Sequence, residues 1–190
     1  MHNDGVHWHY GFRRGGGIDT AIFEKRIYVM ERVISSLAIA NPRLSAEDYV
    51  GFLEQVGVTV EPGARTILSG MPDSHNLPKR FQCVEARRGP SDGMRLAEIA
   101  RTVAEQFGCG TIEPHLVPVA CTEIVRHWQG VPGYGHIVLF HKPVDVLGAL
   151  SVLHFRRVPG GIVLGHTDAG GSWEEPDSLF ACSQAVEESA

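Results

Sequence analysis

The sequence predicts an α+β domain: an N-terminal helical hairpin, one further helix, and a C-terminal antiparallel β-sheet. Three observations carry that expectation. Apolar residues recur at helical spacing through the first half, and short Val-, Leu- and Ile-rich runs broken by Gly, Pro or Asp fill the second. The composition, 43% hydrophobic and 21% charged over 190 residues, is that of an ordinary globular chain and excludes a fibre, a coiled coil or a disordered polymer. Residues 1–173 read as a single domain and residues 174–190 as an acidic tail.

Residues 1–17 are polar and end in Arg13-Arg14-Gly15-Gly16-Gly17, a flexible N-terminal segment. Residues 18–57 form the predicted hairpin. Asp19 offers an N-cap, and Ile22, Phe23, Ile27, Met30, Val33, Ile34 and Leu37 make the apolar stripe of a helix that Asn41-Pro42 ends. Ser45-Ala46-Glu47-Asp48 is a capping box with aspartate in the glutamate position. Tyr49, Val50, Leu53 and Val56 follow as the stripe of the second helix, with Gly57 as its stop. Val58–Leu68 reads as two short strands around Pro62-Gly63, and Phe81–Ala86 as another. Ser91 caps a third helix through Phe107, with Gly108 as its stop. Strands are expected at Leu116–Cys121, Ile137–His141, Ala149–Arg156 and Ile162–His166. Residues 122–128 fit a helical turn or a continued strand equally.

The net charge is −5, from 17 basic and 22 acidic residues. Five acids and no bases lie from Glu174 onward, so residues 1–173 balance at 17 of each. A neutral body argues against nucleic acid as a partner, because phosphate recognition draws on a basic excess. Ten of the 17 bases sit in doublets, among them Arg87-Arg88 and Arg156-Arg157. Gathered by the fold, two or three doublets would make a local anion site. The first residues lack the basic and apolar regions of a secretory signal. Val144–Phe155, the longest mainly apolar stretch, is too short to cross a bilayer. The expectation is a cytoplasmic chain with reduced thiols and no membrane partner. None of the four cysteines has C-x-x-C spacing.

Ten histidines are the conspicuous feature. Imidazole is the commonest acid–base group near neutral pH and the commonest metal ligand. Three catalytic candidates follow. Cys121, at a predicted strand-to-helix junction, has a thiol that amide dipoles would activate. His136 opens the strand His136–Phe140 as its base, and His154, or else His166, orients that base. The order of cysteine, Gly-His at a strand start, and a polar residue on the next strand resembles that of the papain-like peptidoglycan amidases. Only 15 residues separate the cysteine from the histidine here and no aspartate or serine flanks the cysteine, so the chain is not assigned to that family. His154 and His166 are also the candidate metal pair. With a three-residue loop at 159–161 they face each other across a hairpin, whereas with two or four residues His154 faces Gly165. The sequence leaves the cofactor open. The function expected is a small hydrolase or transferase with a Cys/His or His-rich site acting on a small molecule. The alternative is a non-catalytic module for a protein partner, with incidental histidines.

Overall fold

The computed structural model describes residues 28–34, 45–73, 81–87, 94–128, 135–175 and 178–184. In chain order the elements are β1 (Tyr28–Ile34), α1 (Ala46–Gln55), β2 (Val58–Val60), α2 (Pro62–Ser69), β3 (Phe81–Arg87), β4 (Met94–Arg95), α3 (Leu96–Phe107), β5 (Cys109–Gly110), a single 3₁₀ turn (Pro114–Leu116) and α4 (Val117–Trp128). There follow β6 (His136–Leu139), β7 (Val144–Val146), β8 (Ala149–Val158), β9 (Gly161–Asp168), β10 (Ser172–Trp173) and β11 (Ser178–Gln184). The fold is α+β, as the composition and periodicity predict.

Nine strands form one sheet in the order β1-β3-β11-β6-β8-β9-β2, with β5 added to β11 and β7 to β8. It is mixed rather than antiparallel: β6 runs parallel to β11, and β2 runs parallel to β9. Both faces are covered. On one, Leu53 of α1, Ile67 and Leu68 of α2, and Ala120 and Ile124 of α4 pack on Ile137, Leu139, Leu153, Phe155 and Leu164. On the other, Leu96, Ile99 and Val103 of α3 pack on Val138, Phe140, Val152 and Phe180. Each such side chain stabilises by about 1.5–3 kcal/mol when fully buried, so the larger three-helix layer supplies most of the core. The smaller α3 layer leaves part of its sheet face to other groups.

Local chemistry explains the elements. Ser45 and Asp48 make the expected capping box: the Asp48 N–H donates to Ser45 Oγ at 3.2 Å and the Ser45 N–H to Asp48 Oδ2 at 2.8 Å. The bonds from Ser45 hold the Asp48 carboxyl below its ordinary pKa. Pro62 stands at the first position of α2, where its missing N–H costs nothing. That is why Val58–Leu68 is a strand and a helix rather than two strands. Val117–Val125 is buried on every side, so it carries no amphipathic stripe and reads equally as strand or helix. It is helix α4, which corrects the strand expected at Leu116–Cys121 and settles residues 122–128.

Two further corrections concern the ends. Tyr28–Ile34 pairs with β3 as an antiparallel strand, where a helix over 19–40 was expected; pairing overrides the helical spacing of its apolar residues. The rest of that expected helix, the flexible segment 1–17 and the Ser91 cap lie outside the described residues. At the other end, Ser178–Gln184 is not an acidic tail but β11, hydrogen-bonded to β3 on one side and β6 on the other. Leu179, Phe180, Ala181 and Cys182 are all buried. A strand covered on both faces loses the alternation that marks a strand in sequence.

Candidate functional site

The hairpin β8–β9 sets the site. Val158 pairs with Gly161, so the turn holds only Pro159 and Gly160. Proline at the first corner and glycine at φ +103° at the second satisfy a turn that no side-chain-bearing residue enters cheaply. In this register His154 faces Gly165 and Leu153 faces His166. The expected His154–His166 metal pair is therefore not formed: one residue of register puts the two rings on opposite faces. His166 lies instead over Gly63 of α2, where an added Cβ would meet its ring.

Cys121 is also separated from its expected partners. It is fully buried in α4 among the three-helix layer that contacts Ile137, Leu153 and Phe155. His136 and His154 occupy the alternate positions of β6 and β8 and so point to the α3 face. The sheet stands between thiol and imidazoles, and burial pushes the Cys121 thiol well above its ordinary range. A protonated, enclosed thiol is no nucleophile.

His136 and His154 do come together. Strand β6 places His136 opposite Arg156 and Val138 opposite His154, so the two histidines are diagonal neighbours. The two rings stack with centroids 5.1 Å apart and planes 17° apart, and His136 Nδ1 lies 2.9 Å from His154 Nε2. On its other side His136 Nε2 is 3.4 Å from Glu175 Oε2. Trp173 sets its edge against both rings, at 4.8 Å from His154 and 5.9 Å from His136.

Trp173, Glu175 and Ser178 are themselves tied together. The Trp173 indole N–H donates to Ser178 Oγ at 2.9 Å, and the Ser178 hydroxyl donates to the Glu175 carbonyl at 2.9 Å. β10 adds the pairing with β4, and the Leu96 N–H donates to the Gly171 carbonyl. The strand that carries Ser178 lies in register with β6, Ser178 opposite His136. The carboxylate is thereby delivered to the imidazole by the backbone on both sides.

Arg156 stands beside His154 and pairs with Glu61, whose carboxylate lies over Gly165, where only a missing Cβ leaves room. His154 is neutral near pH 7: its pKa is pulled down to about 3, first by burial and then by the positive charge of His136 and of Arg156. When Glu175 holds the proton of His136 Nε2, His136 Nδ1 is an acceptor. His154 Nε2–H then donates to it, and the His154 Nδ1 lone pair remains, without a partner among the described residues. The chain carboxylate–imidazole–imidazole is a path for one proton.

His141, which is buried, has a structural task. His141 donates from Nδ1 to the Lys142 carbonyl at 2.8 Å and accepts the Leu153 N–H at Nε2 at 2.9 Å. It fills the gap where β8 passes from pairing with β6 to pairing with β7. Among the described residues no group of three or more His, Cys, Asp or Glu is arranged to hold a metal ion. No helix among them is long and apolar enough to cross a membrane.

Reading the sequence picks out His136 and His154 but misses Glu61, Trp173 and Glu175. Arg156 is visible only as half of a basic doublet. No spacing links these residues, which three strands and two connecting segments bring together, so no sequence signal marks the set. No protein-family model, curated protein or solved structure matches the chain.

Proposed function

We propose that this chain is a small acid–base enzyme of the hydrolase or transferase class, with His154 as the proton-transferring group and His136 and Glu175 behind it. The observation that supports this most is the 2.9 Å contact between the two imidazoles, with a carboxylate 3.4 Å from the outer one. A proton taken up at His154 Nδ1 is matched by transfer of the Nε2 proton to His136. The positive charge then rests on His136, beside Glu175. A half-buried base that is hard to protonate alone can act in this way, because the proton it gains on one nitrogen is matched by the one it gives up from the other. Arg156 adds a fixed cation next to the base, which suits a substrate that develops negative charge as it reacts. The thiol mechanism is set aside because Cys121 lies across the sheet.

The test is a panel of p-nitrophenyl acyl and phosphoryl esters with purified protein. Removing a general acid–base group costs about 10²–10⁴-fold. His154→Ala is expected to lower kcat in that range and Glu175→Gln by less, both with KM little changed. Turnover unaffected by His154→Ala would sink the proposal.

One observation favours the non-catalytic module instead. Leu147, at the β7–β8 turn, is 103% exposed with φ +55°, and Leu150 beside it is 58% exposed. An apolar residue kept in a strained, solvated position fits a contact with a protein partner. A function lost in Leu147→Asn but kept in His154→Ala would favour that reading.

A further inference from the structure

Cys109 and Cys182 lie in the α3 layer and take no part in the site. Cys109 opens β5 and Cys182 belongs to β11. Gln184 pairs with Cys109 and Ser183 with Gly110, so Cys182 is the diagonal neighbour of Cys109 on the same face. Their Sγ atoms are 2.9 Å apart, though 73 positions separate them in sequence. The Cys182 S–H donates to Cys109 Sγ, and the Cys109 S–H points on to the Val103 carbonyl of α3 at 3.6 Å. A disulfide needs about 2.05 Å between its sulfurs, so closure asks for a movement of roughly 0.9 Å. Diagonal neighbours on antiparallel strands stand about 7–8 Å apart, at the upper limit of disulfide geometry, so closure also draws β5 slightly towards β11. Both thiols are buried, at 4% and 1% exposure, which admits only a small oxidant.

We propose that Cys109 and Cys182 are a modification site, converted to a reversible disulfide by a peroxide. One sulfur attacks a peroxide oxygen; the O–O bond breaks, a sulfenic acid forms and one water leaves. The second sulfur attacks the sulfenyl sulfur; the S–O bond breaks and the hydroxyl leaves as a second water, taking the remaining thiol proton. Two thiols lose two electrons, and hydrogen peroxide is reduced to two waters. The bond ties β5 to β11, and hence the end of α3 to a central strand. Cys121, in the other layer, has no such neighbour among the described residues and serves as an internal control.

The experiment uses the full chain treated with hydrogen peroxide, quenched, unfolded and alkylated with N-ethylmaleimide. Of four cysteines, two are expected to escape alkylation, and peptide mapping is expected to find 109 linked to 182. Dithiothreitol restores all four. Because the bond closes a long loop, Tm is expected to rise by roughly 5–10 °C. The Cys182→Ser variant is expected to give no linked peptide and no rise. If that variant does not fold, mapping of the unaltered chain decides alone. Four alkylated thiols after peroxide, a link between any other pair, or recovery of Cys109 and Cys182 as separate sulfinic acids overturns the proposal.

Discussion

His136 gives one nitrogen to His154 and the other to Glu175, at 2.9 Å and 3.4 Å, so both of its ring nitrogens are engaged within the site. The pair joins β6 to β8 at the end of the sheet that Trp173 covers.

That arrangement gives stability a pH dependence. His154 binds a proton in the unfolded chain below its ordinary pKa near 6.5, but in the fold only near 3. The unfolded state therefore holds more protons across that interval, and stability falls as pH drops from about 6.5 towards 3. The loss expected is roughly 2–4 kcal/mol after allowance for partial solvation. His141, whose pKa burial also lowers, adds to it with the same sign. Urea unfolding at pH 7, 5 and 4 measures the slope. His154→Gln is expected to flatten it, and an identical slope in the variant would show that His154 is not enclosed.

Phe180 is 1% exposed, stacks on Phe140 at 5.2 Å and meets the edge of Trp173 at 6.4 Å. Phe180→Ala is expected to cost about 3–5 kcal/mol through transfer and cavity terms. The urea midpoint reads this, with the slope of the transition unchanged. A loss below about 1 kcal/mol would mean that β11 is not seated between β3 and β6.

Leu147 and Gly148 have φ of +55° and +88° between paired Val146 and Ala149, the conformation of a type I′ turn. Asparagine enters it far more readily than leucine. The Asp145 carboxylate, which accepts the Gly148 N–H at 2.8 Å, is untouched by the change. Leu147→Asn is expected to stabilise by about 0.5–1 kcal/mol and to raise Tm by roughly 2–4 °C. A lower Tm contradicts the assigned turn.

Gly63 lies in the first turn of α2 under the His166 ring. Alanine there gains helix propensity but must displace the imidazole. Gly63→Ala alone is expected to be close to neutral. Paired with His166→Ala, it is expected to be about 0.5–1 kcal/mol more stable than His166→Ala alone. Equal gains in both backgrounds, seen by thermal melts of the four proteins, would show that ring and helix do not touch.

The parts of this fold visible in the sequence each carry a local mark. The capping box at Ser45 and Asp48 shows in its spacing, helix α3 in its one buried stripe, and hairpin β8–β9 in its Val-, Leu- and Ile-rich runs around Pro159-Gly160. Val117–Val125 of α4 and Leu179–Cys182 of β11 do not, because both stretches are enclosed on all sides and a run with no exposed positions has no period. Strand β1 has helical spacing that its pairing with β3 overrides. In the site, His136 and His154 stand out by residue type. Their meeting depends on where β6 sits beside β8, and the fate of His166 on a two-residue turn, neither of which composition records. Glu175 follows Trp173 in a segment whose polar character looks like surface.

Strand β11 is the last described element in the chain, yet it lies between β3 and β6 in the sheet. During synthesis, β1 and β3 emerge early and β6, β8, β9 and β2 can assemble without them. Until Ser178–Gln184 leaves the ribosome, no strand pairing among the described elements joins the two half-sheets. Each presents an open edge to neighbouring nascent chains, the form most prone to intermolecular pairing. A ribosome stalled just before Ser178 would hold the chain at its most vulnerable point, and a chaperone that binds unpaired strands would be needed most there.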